Sequence, residues 1–161
     1  AIRYPRGEGP GTEILKSFDL LEIGKARVIN EALSDLVTFS FGNMLNISME
    51  ISDEIGCSLV DMRFIKPLDE ELIEKYAKTH KHIITIEENV ISGGAGSAVN
   101  EYLTKIGYSD KLKIFGVPDD FPIVGSQEDQ REAAGLSKNK ILEKLSQELN
   151  LKDLNKKVSA Q

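Results

Sequence analysis

The sequence predicts an α/β domain of three layers, with helices on both faces of a five-stranded sheet that is mostly parallel and has one antiparallel strand. After the first strand, apolar runs alternate with helical segments, which is the order that parallel strands with crossover helices produce. The run "HIITIEE" (82–88) is apolar almost throughout, as in a strand covered on both faces. With 161 residues, the chain is long enough to bury one core.

The antiparallel strand is expected near the start. "KARVINEA" (25–32) and "DLVTFSFG" (35–42) are both strand-like, and only Leu33 and Ser34 separate them. So short a connection predicts a hairpin, in which the two strands pair with each other.

Helical spacing and end signals define the next elements. In residues 43–56 the apolar positions recur at helical intervals, and Gly56 ends the pattern. A second amphipathic helix is predicted at 69–80, with Asp69 as its N-cap and acidic residues in the first turn. The other predicted elements are strands at 57–63, 82–88 and 111–117, a helix from the glycine cluster to about 107, and helices at 127–135 and 138–149.

Three segments are expected along the chain. Residues 1–13, "AIRYPRGEGPGTE", are rich in Gly and Pro and resemble the exit from an earlier domain, so we interpret them as an interdomain linker of a larger protein. Residues 14–150 form the folded domain. The polar tail, 151–161, is expected to be disordered.

Composition excludes several classes of function. The net charge is -6 and no basic patch is visible, so a nucleic-acid binder is not expected. No apolar run is long enough to span a membrane, and no secretory signal is visible. The single cysteine, Cys57, fits a reducing compartment, and we expect a cytoplasmic protein without nucleic-acid or membrane partners.

The glycine cluster in "EENVISGGAGSAVN" (87–100) invites comparison with phosphate-binding turns. No Gly-Lys-Ser/Thr follows it, and counting from Gly94 the last position of a G-x-G-x-x-G pattern is Val99. Glu87 and Glu88 precede the turn and would repel a phosphate. We therefore expect the glycines to allow close packing of helix on strand, and the acids to accept bonds from the helix N-terminus.

A better anion site is the loop "RYPRGEGPG" (3–11). Pro5 stiffens it, its glycines let a ligand approach the backbone, and an arginine there can grip a phosphate with two hydrogen bonds. Taken alone, however, two arginines in a linker are usually just solvated.

The remaining polar residues are expected to be structural. Asp61, Arg63 and Lys66 follow a strand end, where ligands often bind, but a surface ion-pair set is the favoured interpretation. His80 and His82 lack further ligands at metal-binding spacing, and Cys57 is expected in the core. These residues form no catalytic constellation.

Several segments together resemble one enzyme family. "AIRYPRG", "EIGKARVI", "VDMRFIKPLDEELI", "HIITIEENVISGGAGSAVNEYL" and "GVPDDFPIVGSQEDQREAAGL" are similar, in this order, to the C-terminal domain of 1-deoxy-D-xylulose-5-phosphate synthases. The resemblance covers residues 1 to about 146. "GVPDDF" departs mildly from the usual G-L-P-D-x-F.

The resemblance implies a homodimeric transketolase-like enzyme that depends on thiamine diphosphate and Mg²⁺. It would join pyruvate to glyceraldehyde 3-phosphate, for isoprenoid, thiamine and pyridoxal synthesis. The G-D-G motif that holds the metal and diphosphate in the family is missing here, so cofactor, metal and catalytic residues are expected in preceding domains. By resemblance, Arg6 binds the phosphate of the aldehyde, and Arg3 is closer to a structural role. Transketolase, the beta subunit of a 2-oxoacid dehydrogenase and a stand-alone interaction module remain as alternatives.

Overall fold

The elements of this computed structural model, which describes residues 1, 2, 4 and 20–149, alternate as the sequence predicts. Short 3₁₀ turns at Gly42–Met44 and Ser109–Lys111 precede the first helix and the fifth strand. The strands are β1 (Arg27–Asn30), β2 (Leu36–Ser40), β3 (Ser58–Asp61), β4 (His82–Val90) and β5 (Leu112–Val117). The helices are α1 (Leu45–Ile55), α2 (Glu70–Thr79), α3 (Ala95–Lys105), α4 (Gln127–Ala134) and α5 (Lys138–Glu148).

Within residues 20–149 the sheet has five strands, in the order β1-β3-β2-β4-β5. The pairs β2–β3, β2–β4 and β4–β5 are parallel, and only β1 runs antiparallel to its neighbour. The predicted fold class, a mostly parallel sheet with one antiparallel strand, is therefore confirmed.

The predicted hairpin is wrong, because β1 pairs with β3 and not with β2. All five residues of β2 are buried, so this strand takes a central place with parallel neighbours on both sides. Three of the four β1 residues, by contrast, are exposed, and the register with β3 shifts between Val28 and Asn30. Such a short, polar, irregular strand suits an edge of the sheet.

Alternating side chains divide the core into one layer on each face of the sheet. On one face Leu36, Ile84 and Ile86 pack with residues of α1 and α5. On the other face Val37 and Ile83 pack with residues of α2 and α3. The helices thus cover both faces, which gives the three-layer arrangement that the sequence predicts.

The predicted helix ends are confirmed where the structure tests them. The Asp69 carboxylate accepts a hydrogen bond from the Leu72 N–H at 3.1 Å, as an N-cap does, and a second from the Ala26 N–H at 3.0 Å. Helix α1 ends at Gly56, whose φ of 64° lies in the left-handed region.

Two of the predicted segments fall largely or wholly outside this description. The linker at 1–13 is described only at residues 1, 2 and 4, and the tail at 151–161 lies outside the described residues. Of the helices at 20–149, none is long and apolar enough to cross a bilayer.

Candidate functional site

The carboxyl ends of the four parallel strands β2 to β5 meet at one edge of the sheet, where open α/β sheets usually bind ligands. We call this the carboxyl edge. The chain segments that follow these strands there are Phe41, the loop 62–68, the turn 91–94 and the loop 118–125.

The glycine turn at this edge is organised by the buried carboxylate of Glu87. Its Oε2 accepts a hydrogen bond from the Ala95 N–H, and its Oε1 accepts one from the Gly96 N–H, both at 2.7 Å. Glu87 is only 1% exposed. The carboxylate therefore accepts hydrogen bonds from two of the free N–H groups at the N-terminus of α3, which confirms the predicted role for Glu87 but not for Glu88.

Close packing explains the glycines of this turn. A Cβ atom on Gly96 would lie 2.6 Å from Cγ2 of Ile114 and 2.7 Å from Oγ1 of Thr85. On Gly94 it would overlap the Val90 carbonyl oxygen and the Glu87 carboxylate. Thr85 Oγ1 is itself buried and has no hydrogen-bond partner in the described part of the chain.

Two opposing effects act on the Glu87 carboxyl group. Burial raises the pKa of Glu87, and the N–H donors of Gly96 and Ala95 oppose this by stabilising the charged form. The Glu87 carboxyl group is thus buried in the interior and hydrogen-bonded to the N-terminus of α3. Because the Ala95 and Gly96 N–H groups already donate to Glu87, they are not available to bind a phosphate, as the sequence predicts.

Glu88 has a different partner from Glu87. Its Oε1 lies 2.7 Å from Nε and 2.6 Å from Nη2 of Arg131. This ion pair links the end of β4 to α4 and leaves Glu88 away from the helix N-terminus. No pattern in the sequence pointed to Arg131, since 43 residues separate the two.

The exposed tip of the turn is held by three hydrogen bonds. The Ile91 N–H donates to the Val117 carbonyl at 3.0 Å, and the Ile91 carbonyl accepts from Ser97 Oγ at 2.6 Å. The Gly93 N–H donates to the same Ser97 hydroxyl at 3.1 Å. The turn therefore presents the Ile91 side chain, 38% exposed, in a fixed position.

The polar residues after β3 form a structural ion-pair set. Asp61 Oδ2 lies 3.1 Å from Nη2 of Arg27 and 3.8 Å from Nε of Arg63. The Arg63 N–H also donates to Asp61 Oδ1 at 3.2 Å, which supports the left-handed backbone of Arg63 at φ 55°. The structure thus supports the structural interpretation of Asp61 and Arg63, and it shows no contact of Lys66 with them among the described residues.

The histidines and the cysteine lie away from this edge. His80 Nε2 is 3.2 Å from Ser58 Oγ, and its Nδ1 is 2.9 Å from Thr79 Oγ1. Burial lowers the pKa of His82. Cys57 is fully buried, as predicted, and burial raises the pKa of its thiol.

A groove of about 580 Å³ lies between the start of α2 and the outer side of α3. Cations and acids line it together, among them Lys66, Lys105, Glu70 and Glu101. Lys25, which also lines it, is paired with Glu71 at 2.8 Å. Such a mixed lining does not select a ligand of either charge.

The described residues do not fit thiamine diphosphate or Mg²⁺. No three acidic, histidine or cysteine side chains within residues 20–149 come together as a metal would require. The helix N-terminus that could receive a diphosphate is occupied by Glu87. Arg6, the residue predicted to bind the substrate phosphate, lies outside the described residues, as does Arg3.

The loop 118–125 is a feature that the sequence analysis missed. Phe121 is 97% exposed and Val124 is fully exposed, beside the half-exposed Ile123. The signal was present as the run "FPIV", which is unusually apolar for a loop. The carboxyl edge therefore exposes large apolar side chains next to charged ones such as Asp119 and Asp120.

Comparison with known proteins matches residues 24–141 to the family described as transketolase, C-terminal domain. The 1-deoxy-D-xylulose-5-phosphate synthase of Psychromonas ingrahamii is 44% identical over 143 residues, which are 86% of this chain and 23% of that protein. The synthase of the same name from Vibrio cholerae is 41% identical over 140 residues, 84% of this chain and 22% of that protein. The chain thus spans less than a quarter of the length of these curated relatives.

Solved structures agree on the architecture. A structure described as a split gene transketolase, inactive beta4 tetramer, superposes with a TM-score of 0.73 at 28% identity, over 81% of this chain and 44% of that one. Transketolase from Campylobacter jejuni superposes with a TM-score of 0.55 at 18% identity, over 77% of this chain and 18% of that one, which bears on the fold alone.

Proposed function

Because this chain belongs to the transketolase C-terminal domain family, we propose that it works as the C-terminal domain of a 1-deoxy-D-xylulose-5-phosphate synthase. The observation that carries the proposal is the identity to synthases of this name, 44% and 41%, over more than four fifths of the chain. The split gene transketolase is only 28% identical. The closer likeness therefore favours the synthase over transketolase.

The proposed reaction of the longer protein joins pyruvate to D-glyceraldehyde 3-phosphate. Carbon dioxide leaves from pyruvate, and the remaining two-carbon unit bonds to the aldehyde carbon, which gives 1-deoxy-D-xylulose 5-phosphate. This product would supply isoprenoid, thiamine and pyridoxal synthesis. By the same resemblance the longer protein is expected to be a cytoplasmic homodimer.

The proposed contribution of this chain to catalysis is the grip on the substrate phosphate. A guanidinium group can donate two parallel hydrogen bonds to a phosphate, and Arg6 stands in a Gly- and Pro-rich segment that permits a close approach. We assign no catalytic residue to this chain. Its second contribution is surface for the contact with the rest of the enzyme.

Thiamine diphosphate, which supplies the carbon–carbon chemistry of this enzyme family when bound, is assigned to preceding domains together with Mg²⁺. The described residues do not fit either group, since Glu87 occupies the helix N-terminus of the glycine turn. We therefore expect the isolated chain to bind thiamine diphosphate weakly and to make no product.

Substrate competition in the protein translated from the whole reading frame tests the proposal. We expect product from pyruvate plus glyceraldehyde 3-phosphate, and little turnover with ketose phosphate donors or lipoamide-linked acceptors. Faster ketol transfer between sugar phosphates would favour transketolase, and reduction of lipoamide would favour a 2-oxoacid dehydrogenase beta subunit. An inactive protein without preceding domains would favour an interaction module.

A further inference from the structure

Exposed apolar side chains collect at the carboxyl edge of the sheet. Of the thirteen large hydrophobic residues that are exposed in the described part of the chain, eight follow a strand end or precede β1 at this edge. We call them the apolar edge. They are Leu20, Leu21, Ile23, Ile65, Ile91, Phe121, Ile123 and Val124.

The sheet topology places the two halves of the apolar edge together on one side of the molecule. Ile91 and the loop 118–125 follow β4 and β5, whereas Ile65 follows β3. Arg27 at the start of β1 pairs with Asp61 at the end of β3, so the chain before β1 also lies at this edge. A Cβ on Gly24 would lie 2.8 Å from Cγ of Pro67, which confirms that this incoming chain contacts the loop after β3.

We propose that the apolar edge is the surface on which the polypeptide preceding this chain packs in the longer synthase. A concentration of exposed large hydrophobic residues at one edge of a domain marks an interaction site in soluble proteins. The inference rests on the proposed function, in which such a preceding polypeptide exists, and it names the surface and its occupant.

A small-molecule ligand is a poorer occupant of this surface. At the β4 end the N–H groups of α3 are taken by Glu87, and at the β3 end Asp61 is engaged by Arg27 and Arg63. Beside these paired groups, eight large hydrophobic side chains remain exposed to solvent. The side chains of Phe121 and Val124 are almost fully exposed, so a flat protein surface can cover them.

The polypeptide that precedes this chain in the longer synthase would bind the apolar edge more readily than a free partner, because it is covalently attached. The curated relatives are more than four times as long as the part this chain matches, and they carry the additional length on the same chain. Residues 20–26 enter the domain at the apolar edge itself. A covalently attached surface that reaches this edge binds at a high effective concentration, so it excludes free partners of similar affinity.

Charges at the edge indicate what the covering surface carries. Asp119 and Asp120 are exposed beside Phe121, whereas Lys66 follows Ile65 at the other end. The complementary surface is therefore apolar, with basic side chains opposite the loop 118–125 and acidic ones opposite residues 65–66.

Hydrogen–deuterium exchange of the full-length synthase tests the inference. Within residues 20–149, neither the Ile123 nor the Val124 N–H donates a hydrogen bond, so protection of these amides would come from polypeptide outside that range; the same measurement on the isolated chain shows how much of it this chain itself supplies. We expect them to exchange at least about tenfold more slowly in the full-length protein than in an unstructured peptide. Exchange at the unstructured rate would overturn the inference without the need for any variant.

A double variant, Phe121→Asp with Val124→Asp, tests whether the apolar side chains provide this contact. We expect the protection of residues 123–124 to be lost while the strand amides of the domain stay protected. Leu33→Asp is the matched control, since Leu33 is 60% exposed in the β1–β2 connection at the opposite edge, and it should leave the exchange unchanged. Retained protection in the double variant would contradict the proposal.

Measuring the oligomeric state shows whether the apolar edge is covered by the preceding polypeptide or by a second subunit. If the double variant loses protection and also dissociates the oligomer in light-scattering measurements, a second subunit covers the edge and the proposal is wrong. An unchanged mass with lost protection supports the proposal.

The proposed function and this inference can fail independently. A protein that shows the protection but makes no 1-deoxy-D-xylulose 5-phosphate contradicts only the proposed function. A protein that makes the product but has unprotected amides at residues 123–124 contradicts only this inference.

Discussion

At the scale of single residues, Glu87 connects the sequence of the glycine turn to its structure. A carboxylate at the end of a buried strand meets the N-terminus of the next helix, and the glycines between them remove the side chains that would keep the two apart. The arrangement resembles a phosphate-binding turn in which the protein supplies its own anion. This is why a glycine-rich turn here has a structural role.

Replacing Glu87 should destabilise the fold. Glu87→Ala leaves the buried N–H groups of Ala95 and Gly96 without acceptors, and we expect a loss of about 1–3 kcal/mol in the free energy of unfolding. Urea denaturation at neutral pH measures it. Glu88→Ala is the matched control, since it removes only a partly exposed ion pair, and it should cost less than about 1 kcal/mol. Equal effects of the two substitutions would contradict this role of Glu87.

Tyr76 provides a prediction in the alkaline range. Burial, together with the nearby Glu31 carboxylate, which accepts its hydroxyl hydrogen bond at 3.2 Å, raises the pKa of Tyr76 to about 12. Because this pKa lies above the usual value of 10.0, the stability linked to this group is fully present below pH 10 and is lost as the pH rises towards 12.

The measurement is an absorbance titration of the tyrosines, compared with that of Tyr76→Phe. The late component near pH 12 should be missing in the variant. A variant that retains the late component would show that another tyrosine produces it.

Residue-scale features were predictable where the signal is local. The N-cap Asp69, the end of α1 at Gly56 and the pairing of an acid with the α3 N-terminus all follow from residue type next to an element boundary. The Glu88–Arg131 pair was not predictable, because it joins residues far apart in sequence. Nor could spacing alone decide which of the two adjacent acids turns inwards.

At the scale of elements, the placement of β1 shows where local reasoning stops. The strand itself and its antiparallel direction could be predicted, but its partner could not, since β3 inserts between β1 and β2. A short connection favours a hairpin only when both strands can accept each other as neighbours. Here the fully buried β2 already has two parallel neighbours, which leaves the edge of the sheet to β1.

Helix α5 is the element whose packing is most simply tested. Leu145 is fully buried against the face of the sheet that α1 also covers. Leu145→Ala should lower the free energy of unfolding by about 2–5 kcal/mol through lost burial and a residual cavity. Gln147→Ala, an exposed position on the same helix, should change it by less than about 0.5 kcal/mol. Chemical denaturation of both variants checks this, and similar values for the two would show that α5 is not part of the core.

At the scale of the whole molecule, the described part of this chain is a folded domain with a cluster of exposed hydrophobic residues at one edge of its sheet. Helices cover both faces of its sheet and bury a core on each, whereas large apolar side chains at its carboxyl edge are exposed to solvent. The fold class could be predicted from the alternation of elements, but the apolar edge could not. Recognising it requires the strand order that brings residues 20–23, 65, 91 and 121–124 to one side.

We propose that this chain supplies, in Arg6, the arginine that holds the substrate phosphate in a 1-deoxy-D-xylulose-5-phosphate synthase. The most direct test of this claim is the steady-state kinetics of Arg6→Ala in the full-length protein, with Arg3→Ala as the control from the same segment. Loss of a charge-assisted contact worth about 1.5–3 kcal/mol should raise KM for glyceraldehyde 3-phosphate about 10–150-fold, with KM for pyruvate unchanged. The Arg3 variant should stay within about twofold of the parent. Unchanged kinetics for the aldehyde phosphate in Arg6→Ala would contradict the claim.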